Sequence, residues 1–221
     1  MRSQSLFGFL KTAGGGSVTY LVSDNLEYAN NSAMTSGGWT LTGSPVAGYT
    51  TSPAPLQGTY SFTSSAITDY GEKTFASSAD CNIYFLFNAP TSLANNPQIL
   101  RVVDGSSNVL SRVVVLAAGQ VRVTDSSGTA LATSSSGIVS TGSTYGIWIR
   151  YVKGSGANGI CEIYVSGAGN ETKPGSAAVS TAAGDWAANV AGIRLLSVAT
   201  DQIIFDKVRV ADTQIIGSDP A

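Results

Sequence analysis

Apolar and β-branched residues recur along the chain in short runs, each followed by a cluster of Gly, Ser, Asn or Asp. Runs of about four to eight such residues between turn signals are typical of strands in an antiparallel all-β domain. The clearest case is the pair of runs 145–152 and 160–165, in which Ile147 and Ile149 alternate with Trp148 and a Gly/Ser/Asn turn joins the runs. The pattern predicts a hairpin with one face in the core and a second face that is partly apolar.

The same alternation predicts a dozen strands in one domain and no amphipathic helix. The Ala-rich segment Ser176–Asn189 is predicted to be a loop, because Gly184 and Asp185 interrupt it. This strand content favours a two-sheet antiparallel β-sandwich, a jelly roll. The predicted strands are Thr19–Leu21, Trp39–Thr42, Gly58–Thr63, Lys73–Ala76, Asn82–Asn88, Gln98–Val103, Val109–Leu116, Gln120–Thr124, Thr144–Lys153, Gly159–Val165, Ala191–Val198 and Gln202–Val210.

The first sixteen residues differ from the rest and are predicted to form an extended N-terminal arm, residues 1–16. Their apolar patch ends at Lys11 after five residues, which is shorter than the stretch of about 7–15 apolar residues that a signal peptide needs. Phe7, Phe9 and Leu10 either dock on a neighbouring subunit or belong to a disordered terminus. Residues 17–212 are predicted to form the jelly-roll domain and residues 213–221 a C-terminal tail.

Composition excludes several function classes. Charged residues make up 12% of the chain, about half of the roughly 25% found in ordinary soluble domains. Histidine is absent, which excludes Ser-His-Asp and Cys-His catalysis and His-ligated zinc or iron sites within this chain. The 12 Lys and Arg residues occur singly, which argues against a nucleic-acid partner. Apolar runs fall short of the about 18 residues of a membrane span.

Two cysteines, Cys81 and Cys161, each open an apolar strand. Two are too few for a disulfide framework. If the two strands are neighbours, the sulfur atoms face each other; otherwise both residues are separate buried thiols.

Several short motifs carry a resemblance to a known superfamily. They are the acidic segment Ser23–Glu27, the Trp at Gly37–Trp39, the central strands Tyr145–Tyr151 and Cys161–Val165, and the closing strand Ile203–Val210. Together they resemble the concanavalin A-like lectin/glucanase superfamily, in its laminin-G-like branch. The resemblance spans most of the chain and implies a jelly-roll fold, while its motifs are mostly structural.

The resemblance also implies a possible structural calcium ion. Related jelly-roll carbohydrate-binding modules share such an ion between an acid on the closing strand and acids near the N-terminus, and the matching positions here are Asp24, Glu27 and Asp206. The alternative is that Asp206 accepts hydrogen bonds from backbone amides or pairs with Arg150, since calcium takes about six or more oxygen ligands. No other cofactor is predicted.

Three functions are candidates for a domain of this predicted fold. A glycoside hydrolase of the retaining type needs two carboxyls about 5 Å apart, which this superfamily places on one strand as Glu-x-Asp-x-x-Glu. That pattern is absent here, so we expect no enzyme. A carbohydrate-binding module would use aromatic side chains; the candidates are Trp39, Tyr49, Tyr70 and above all Trp186, unless these aromatics are core residues.

The third function is a structural or adhesive one, and it is the preferred expectation. Small laminin-G-like proteins with low charge and an apolar arm resemble virion components of tailed bacteriophages, where such domains act as capsid decoration, head fibre or tail accessory proteins. This implies synthesis in the host cytoplasm, assembly as a homo-oligomer with other virion subunits, and possible binding to a cell-surface glycan. A free-standing carbohydrate-binding module or lectin is the alternative.

Overall fold

The computed structural model of the chain describes residues 18–49, 56, 58–64, 68–197 and 202–212. The predicted arm with Phe7, Phe9 and Leu10, and the predicted tail 213–221, lie outside the described residues. Within the described part the chain forms fifteen β-strands in two antiparallel sheets and one short α-helix. The all-β sandwich predicted from the alternation is confirmed.

One sheet has eight strands. Seven of them lie side by side from one edge to the other, and the eighth, the first strand of the chain, pairs with the last strand of the chain outside this order. In order, the path is β13 (Val179–Trp186), β12 (Gly154–Val165), β11 (Thr144–Val152), β6 (Asp80–Asn88), β15 (Ile203–Ala211), β4 (Ser61–Ser64) and β3 (Val46–Tyr49), while β1 (Tyr20–Asp24) pairs with β15.

The second sheet has seven strands. In order, these are β10 (Ala130–Thr133), β9 (Val121–Asp125), β8 (Val109–Val115), β7 (Gln98–Val103), β14 (Val190–Leu196), β5 (Tyr70–Ser78) and β2 (Trp39–Thr42). The inner faces of both sheets pack into one apolar core, with aromatic side chains such as Phe62, Phe85 and Phe205 between them.

A smaller apolar cluster lies on the outer face of the eight-stranded sheet. Tyr84, Leu86, Trp148 and Ala211 are buried there, and Tyr20 packs against them. The Tyr84 and Trp148 rings lie 4.8 Å apart between centroids. This outer cluster explains why the outward-facing positions of the central hairpin are partly apolar in sequence.

The strand predictions missed four elements. Ser176–Asn189 is not a loop: it contains β13, whose residues alternate between buried and exposed positions. The short strands β3 and β10 were also missed, as was helix α1 (Asn31–Ser36), a six-residue helix capped by the Asn30 side chain at the Ala33 amide. The described part of the chain contains no helix that is long and apolar enough to cross a membrane.

The two cysteines do not pair. Cys81 lies on β6 and Cys161 on β12, and both strands pair with β11, where Tyr151 is the register partner of each cysteine. With a strand between them the two Cα atoms are separated by about twice the spacing of 4.8 Å between neighbouring strands, beyond the reach of a disulfide. Both are free, buried thiols, and burial raises the pKa of each from 9.0 to about 12.

Candidate functional site

The outer face of the seven-stranded sheet carries a row of arginines. On three adjacent strands Arg194 lies directly opposite Arg101, and Arg101 directly opposite Arg112. Arg122 on the next strand faces the same way, because its neighbours Val121 and Val123 are buried in the core. We call these four residues the arginine face. They hold four of the chain's 12 basic side chains.

Little negative charge offsets this face. Glu72 is the register partner of Arg194 at one end of the row, and Thr124 is the partner of Arg112 at the other. Residues directly opposite in antiparallel strands have Cα atoms about 4.5–5.5 Å apart, and like charges at such positions destabilise the sheet. Burial, and repulsion from Arg112 and Arg194, lower the pKa of Arg101. The row therefore carries an unfavourable interaction that an anion would relieve.

One end of the row is fixed by a hydrogen-bond network. The Nε atom of Arg194 lies 2.5 Å from Oε2 of Glu72, and its Nη2 atom donates to the Ser107 carbonyl at 2.9 Å. The Ser107 hydroxyl in turn donates to Oε1 of Glu72 at 2.6 Å. The Arg194 guanidinium also lies 4.8 Å from the centre of the Tyr70 ring. This end is a rigid support for the two arginines beside it.

The middle of the row keeps unused donors. Arg101 donates from Nε to Oε1 of Gln98 at 3.0 Å. Arg112 donates from Nη2 to the Ser126 carbonyl at 2.5 Å, while its Nε atom is buried and has no partner among the described residues. A buried donor on a charged group is costly when it is left unpaired. A guanidinium on an outer sheet face can bind a carboxylate or another planar anion through its terminal nitrogens with two parallel hydrogen bonds.

The basic residues are scattered along the sequence but not in the folded structure, so the expectation that they do not cluster is wrong. Arg101, Arg112, Arg122 and Arg194 are separated by at least ten positions in sequence, and only the strand order brings them to one face. The argument against a nucleic-acid partner rested on that expectation, so its premise does not hold, and the absence of such a partner stays a prediction.

The predicted aromatic sugar platforms are found at different places. Trp186 is 1% exposed and not in a polar loop: it ends β13 and stacks on Tyr151 with ring centroids 4.6 Å apart. Trp39 is also 1% exposed and donates to Asp24 at 2.8 Å. Both are core residues. Tyr49 ends β3, and its side chain lies outside the described part. Of the three candidates whose side chains are described, Tyr70 alone stands beside the arginine face.

The three acids predicted for calcium are not brought into one group. Asp24 accepts from the Tyr28 hydroxyl at 2.7 Å as well as from Trp39, and Glu27 accepts from the Thr59 and Tyr60 amides at 2.9 and 3.1 Å. Asp206 is buried and accepts from the Lys207 amide at 2.8 Å. Across the described residues no group of three or more acidic or thiol side chains could hold a metal ion.

Asp206 does not lie on the face of β15 that strict alternation along the strand would give it. The register of β15 against β6 shifts between Asp206 and Arg209, which is a β-bulge, and Lys207 there adopts a φ of 44°. Val208 and Val210 are therefore in the core, while Asp206 and Arg209 point to the outer face. Strict alternation along the strand would predict Asp206 on the same face as the two valines.

Comparison with known proteins reveals the fold alone. No family model matches the chain, and no curated protein matches it. Solved structures do match. A fungal endo-β-1,4-glucuronan lyase from Trichoderma reesei is 11% identical, with 92% of this chain and 100% of that chain covered and a TM-score of 0.57. The carbohydrate recognition domain of Emp46p is 10% identical, with 90% and 100% covered and a TM-score of 0.57.

A third match is longer than this chain. The receptor-binding domain of botulinum neurotoxin type G is 12% identical with a TM-score of 0.51; the match covers 80% of this chain and 43% of that one. The jelly-roll fold that the sequence motifs implied is thus shared with carbohydrate-recognising and carbohydrate-cleaving proteins.

The expectation that the chain is no enzyme is corrected by these matches. It rested on the missing carboxylate pattern of a hydrolase, but the fold also includes a polysaccharide lyase. A lyase breaks the glycosidic bond by elimination rather than by hydrolysis, so it needs no such pair of carboxylates. The missing pattern therefore does not exclude an enzyme.

Proposed function

We propose that the arginine face binds an acidic polysaccharide, a polymer of uronic acid residues. The observation that carries the proposal is the row Arg194–Arg101–Arg112, in which three cations are direct cross-strand neighbours and one carboxylate, Glu72, offsets them. A face with this charge attracts a polyanion and repels a polycation. Carboxylates spaced along a sugar chain match guanidiniums spaced along the row.

The surroundings of the row suit a sugar chain. Gln98 offers an amide and Tyr70 a ring beside the guanidiniums, and both groups are half-buried. Amide and aromatic groups are common partners of sugar hydroxyls and sugar faces. The glucuronan lyase with the same fold acts on a polymer of this chemical class, which supports the choice of uronic acids over other anions.

Cleavage of the bound chain is a second candidate, and Tyr70 is the observation that favours it. Elimination removes the proton at C5 of a uronic acid, forms the C4–C5 double bond and breaks the bond between C4 and its oxygen, which leaves with a proton. With Tyr70 as the phenolate, its oxygen would take the C5 proton, and the phenol formed in this way would give that proton to the leaving oxygen. The arginines would stabilise the negative charge that develops at the carboxylate.

Two matched ligands test the proposal: a β-1,4-linked hexamer of glucuronic acid and cellohexaose, which has the same linkage without carboxylates. Calorimetric titration is expected to show tight binding of the acidic hexamer that weakens as salt is added, because salt screens the charges. Arg101→Gln and Arg112→Gln should each weaken binding, whereas Lys153→Gln, which removes an exposed cation on another surface, should not. Equal loss in all three variants would contradict the proposal.

The cleavage candidate has its own readout. The double bond formed by elimination is conjugated with the carboxylate and absorbs ultraviolet light, so absorbance rises as polyglucuronate is cleaved. If Tyr70 takes part, Tyr70→Phe abolishes the rise while the acidic hexamer still binds. Binding without any rise in the wild-type protein leaves the arginine face a binding site alone.

The virion role stays a prediction. It rests on the low charge of the chain and on the segments 1–16 and 213–221, which lie outside the described residues. Size-exclusion chromatography with light scattering tests it: we expect the full chain to form a discrete oligomer and a chain starting at Ser17 to be a monomer. Monomers in both cases would count against an assembly role for the arm.

A further inference from the structure

A second polar site lies on the opposite sheet. Three adjacent strands, β6, β11 and β12, place Asn82, Arg150 and Glu162 in one cross-strand row on the outer face. Asp80 and Tyr164 complete the lining of an open cavity of about 420 Å³. All five lining side chains are polar, and a further cavity of about 650 Å³ also borders Asp80. The site is separate from the arginine face, which belongs to the other sheet.

Arg150 organises this cavity. Its Nη2 atom lies 2.9 Å from Oδ2 of Asp80, and its Nη1 atom lies 3.8 Å from Oε2 of Glu162. Hydrogen bonding to Asp80 raises the pKa of Arg150. The side chains of Arg150, Asp80 and Glu162 remain 38%, 41% and 26% exposed, so that the network is held in place and still open to a ligand.

The rim adds an aromatic ring and a second cation. The Tyr164 hydroxyl donates to Oε2 of Glu162 at 3.4 Å, and Lys173 Nζ lies 4.1 Å from the centre of the Tyr164 ring. Burial and the neighbouring Glu162 raise the pKa of Tyr164. The phenol therefore stays protonated at neutral pH and remains a donor.

The charges of this site cancel, in contrast with the arginine face. Asp80 and Glu162 are balanced by Arg150 and Lys173, so the site offers acceptors and donors without a strong field of either sign. An anionic chain meets two carboxylates here, and a cation meets two positively charged side chains. Paired hydroxyls on neighbouring carbon atoms suit the arrangement, because each hydroxyl both donates to a carboxylate and accepts from a guanidinium or amide.

The geometry points to a second saccharide site at Asp80, Asn82, Arg150, Glu162 and Tyr164, one that takes an uncharged sugar. Carboxylates that hold both an arginine and a sugar hydroxyl are placed by that arginine, so the pocket is formed before the ligand arrives. The protein would then bind an acidic glycan on one sheet and a neutral one on the other. This inference does not depend on the function proposed for the arginine face.

An array of uncharged oligosaccharides, followed by calorimetric titration of the full chain with the glycan that binds most strongly, tests the inference. Arg150→Gln and, separately, Glu162→Gln are expected to raise the Kd at least tenfold. Arg101→Gln, on the other sheet, is the control and should leave this Kd unchanged. Binding should also be insensitive to salt, unlike binding at a charged face.

Two results would overturn the inference. One is that no uncharged oligosaccharide binds. The other is that binding persists in Arg150→Gln and Glu162→Gln, or is lost in Arg101→Gln. Thermal unfolding of each variant checks that the protein is folded, and because exposed ion pairs contribute little to stability, Glu162→Gln provides a folded test variant even if Arg150→Gln is impaired. Failure at this pocket leaves binding of the acidic hexamer at the arginine face unaffected, so the two proposals fail separately.

Discussion

Replacing the central arginine of the row separates binding from stability. Arg101→Gln removes one cation and with it two repulsive cross-strand pairs, since Arg101 is the register partner of both Arg194 and Arg112. Glutamine keeps a long polar side chain of similar shape beside Gln98. We expect the variant to lose affinity for the glucuronic acid hexamer and to unfold at the same temperature as the wild-type protein or at a higher one.

Both magnitudes follow from the contacts. Cross-strand charge pairs are worth about 0.2–1 kcal/mol each, so relief of two repulsive pairs contributes about 0.4–2 kcal/mol. The amide of the new glutamine can still donate to Gln98, so what is lost there is the difference between a charged and a neutral donor, about 1–1.5 kcal/mol, and the two effects nearly cancel. A hydrogen bond to a charged group is worth about 1.5–3 kcal/mol, so the Kd of the acidic hexamer should rise about 10- to 150-fold.

The assay is calorimetric titration for the Kd and thermal unfolding for stability, with Lys153→Gln, which removes the same charge, as the control. An unchanged Kd in Arg101→Gln would refute the assignment of the row to an anionic ligand. A fall of more than about 4 °C in Tm, which corresponds to roughly 1 kcal/mol or more for a domain of this size, would refute the claim that the row is a strained arrangement kept for binding.

Three further outcomes are expected. Burial raises the pKa of both Cys81 and Cys161 from 9.0 to about 12, so the folded protein keeps protons that the unfolded chain releases. Its stability should therefore fall as pH rises from about 9 towards 12, and urea unfolding across that range checks the sign. In native protein at pH 8 a thiol reagent should modify neither cysteine. Gly184→Ala should destabilise the fold by about 1–3 kcal/mol, because a Cβ there would meet the ring of Trp186; a shift of tryptophan fluorescence together with urea unfolding measures it, and unchanged spectra and stability would disprove the contact. Asp24→Ala should cost about 1–3 kcal/mol, because it leaves a buried indole and a phenol without their acceptor; Asp24→Asn, which keeps one acceptor oxygen, should lose less.

The sequence predicted the sheets well where both faces of a strand are informative. The central hairpin was found because its inward positions are large and apolar throughout. Strand β13 was missed because the small residues serine and alanine occupy most of its exposed positions and Gly184 occupies a buried one, so that the alternation there is one of exposure and hardly one of residue type. Helix α1 is stabilised by its Asn30 cap and by burial of Met34. Six residues are too few to show the periodicity of apolar positions by which a helix is predicted from sequence.

The candidate sites could not be read from the sequence, because strand order creates both of them. Arg194 follows Arg101 by 93 positions in sequence, yet β14 lies directly beside β7. In the same way Asp80 and Glu162 come from strands that are separated by β11, where Arg150 joins them. The bulge in β15 changes the face of Asp206 by one added residue, a local event without a marker such as Gly or Pro.

The pairing of β1 with β15 has a consequence for how the domain can be attached. Tyr20 and Ala211 are register partners, so chain entering at β1 and chain leaving at β15 meet at one spot on the eight-stranded sheet. A domain with adjacent ends can be inserted into a surface loop of a host protein, or joined end to end and reopened at another turn, without breaking its sheets.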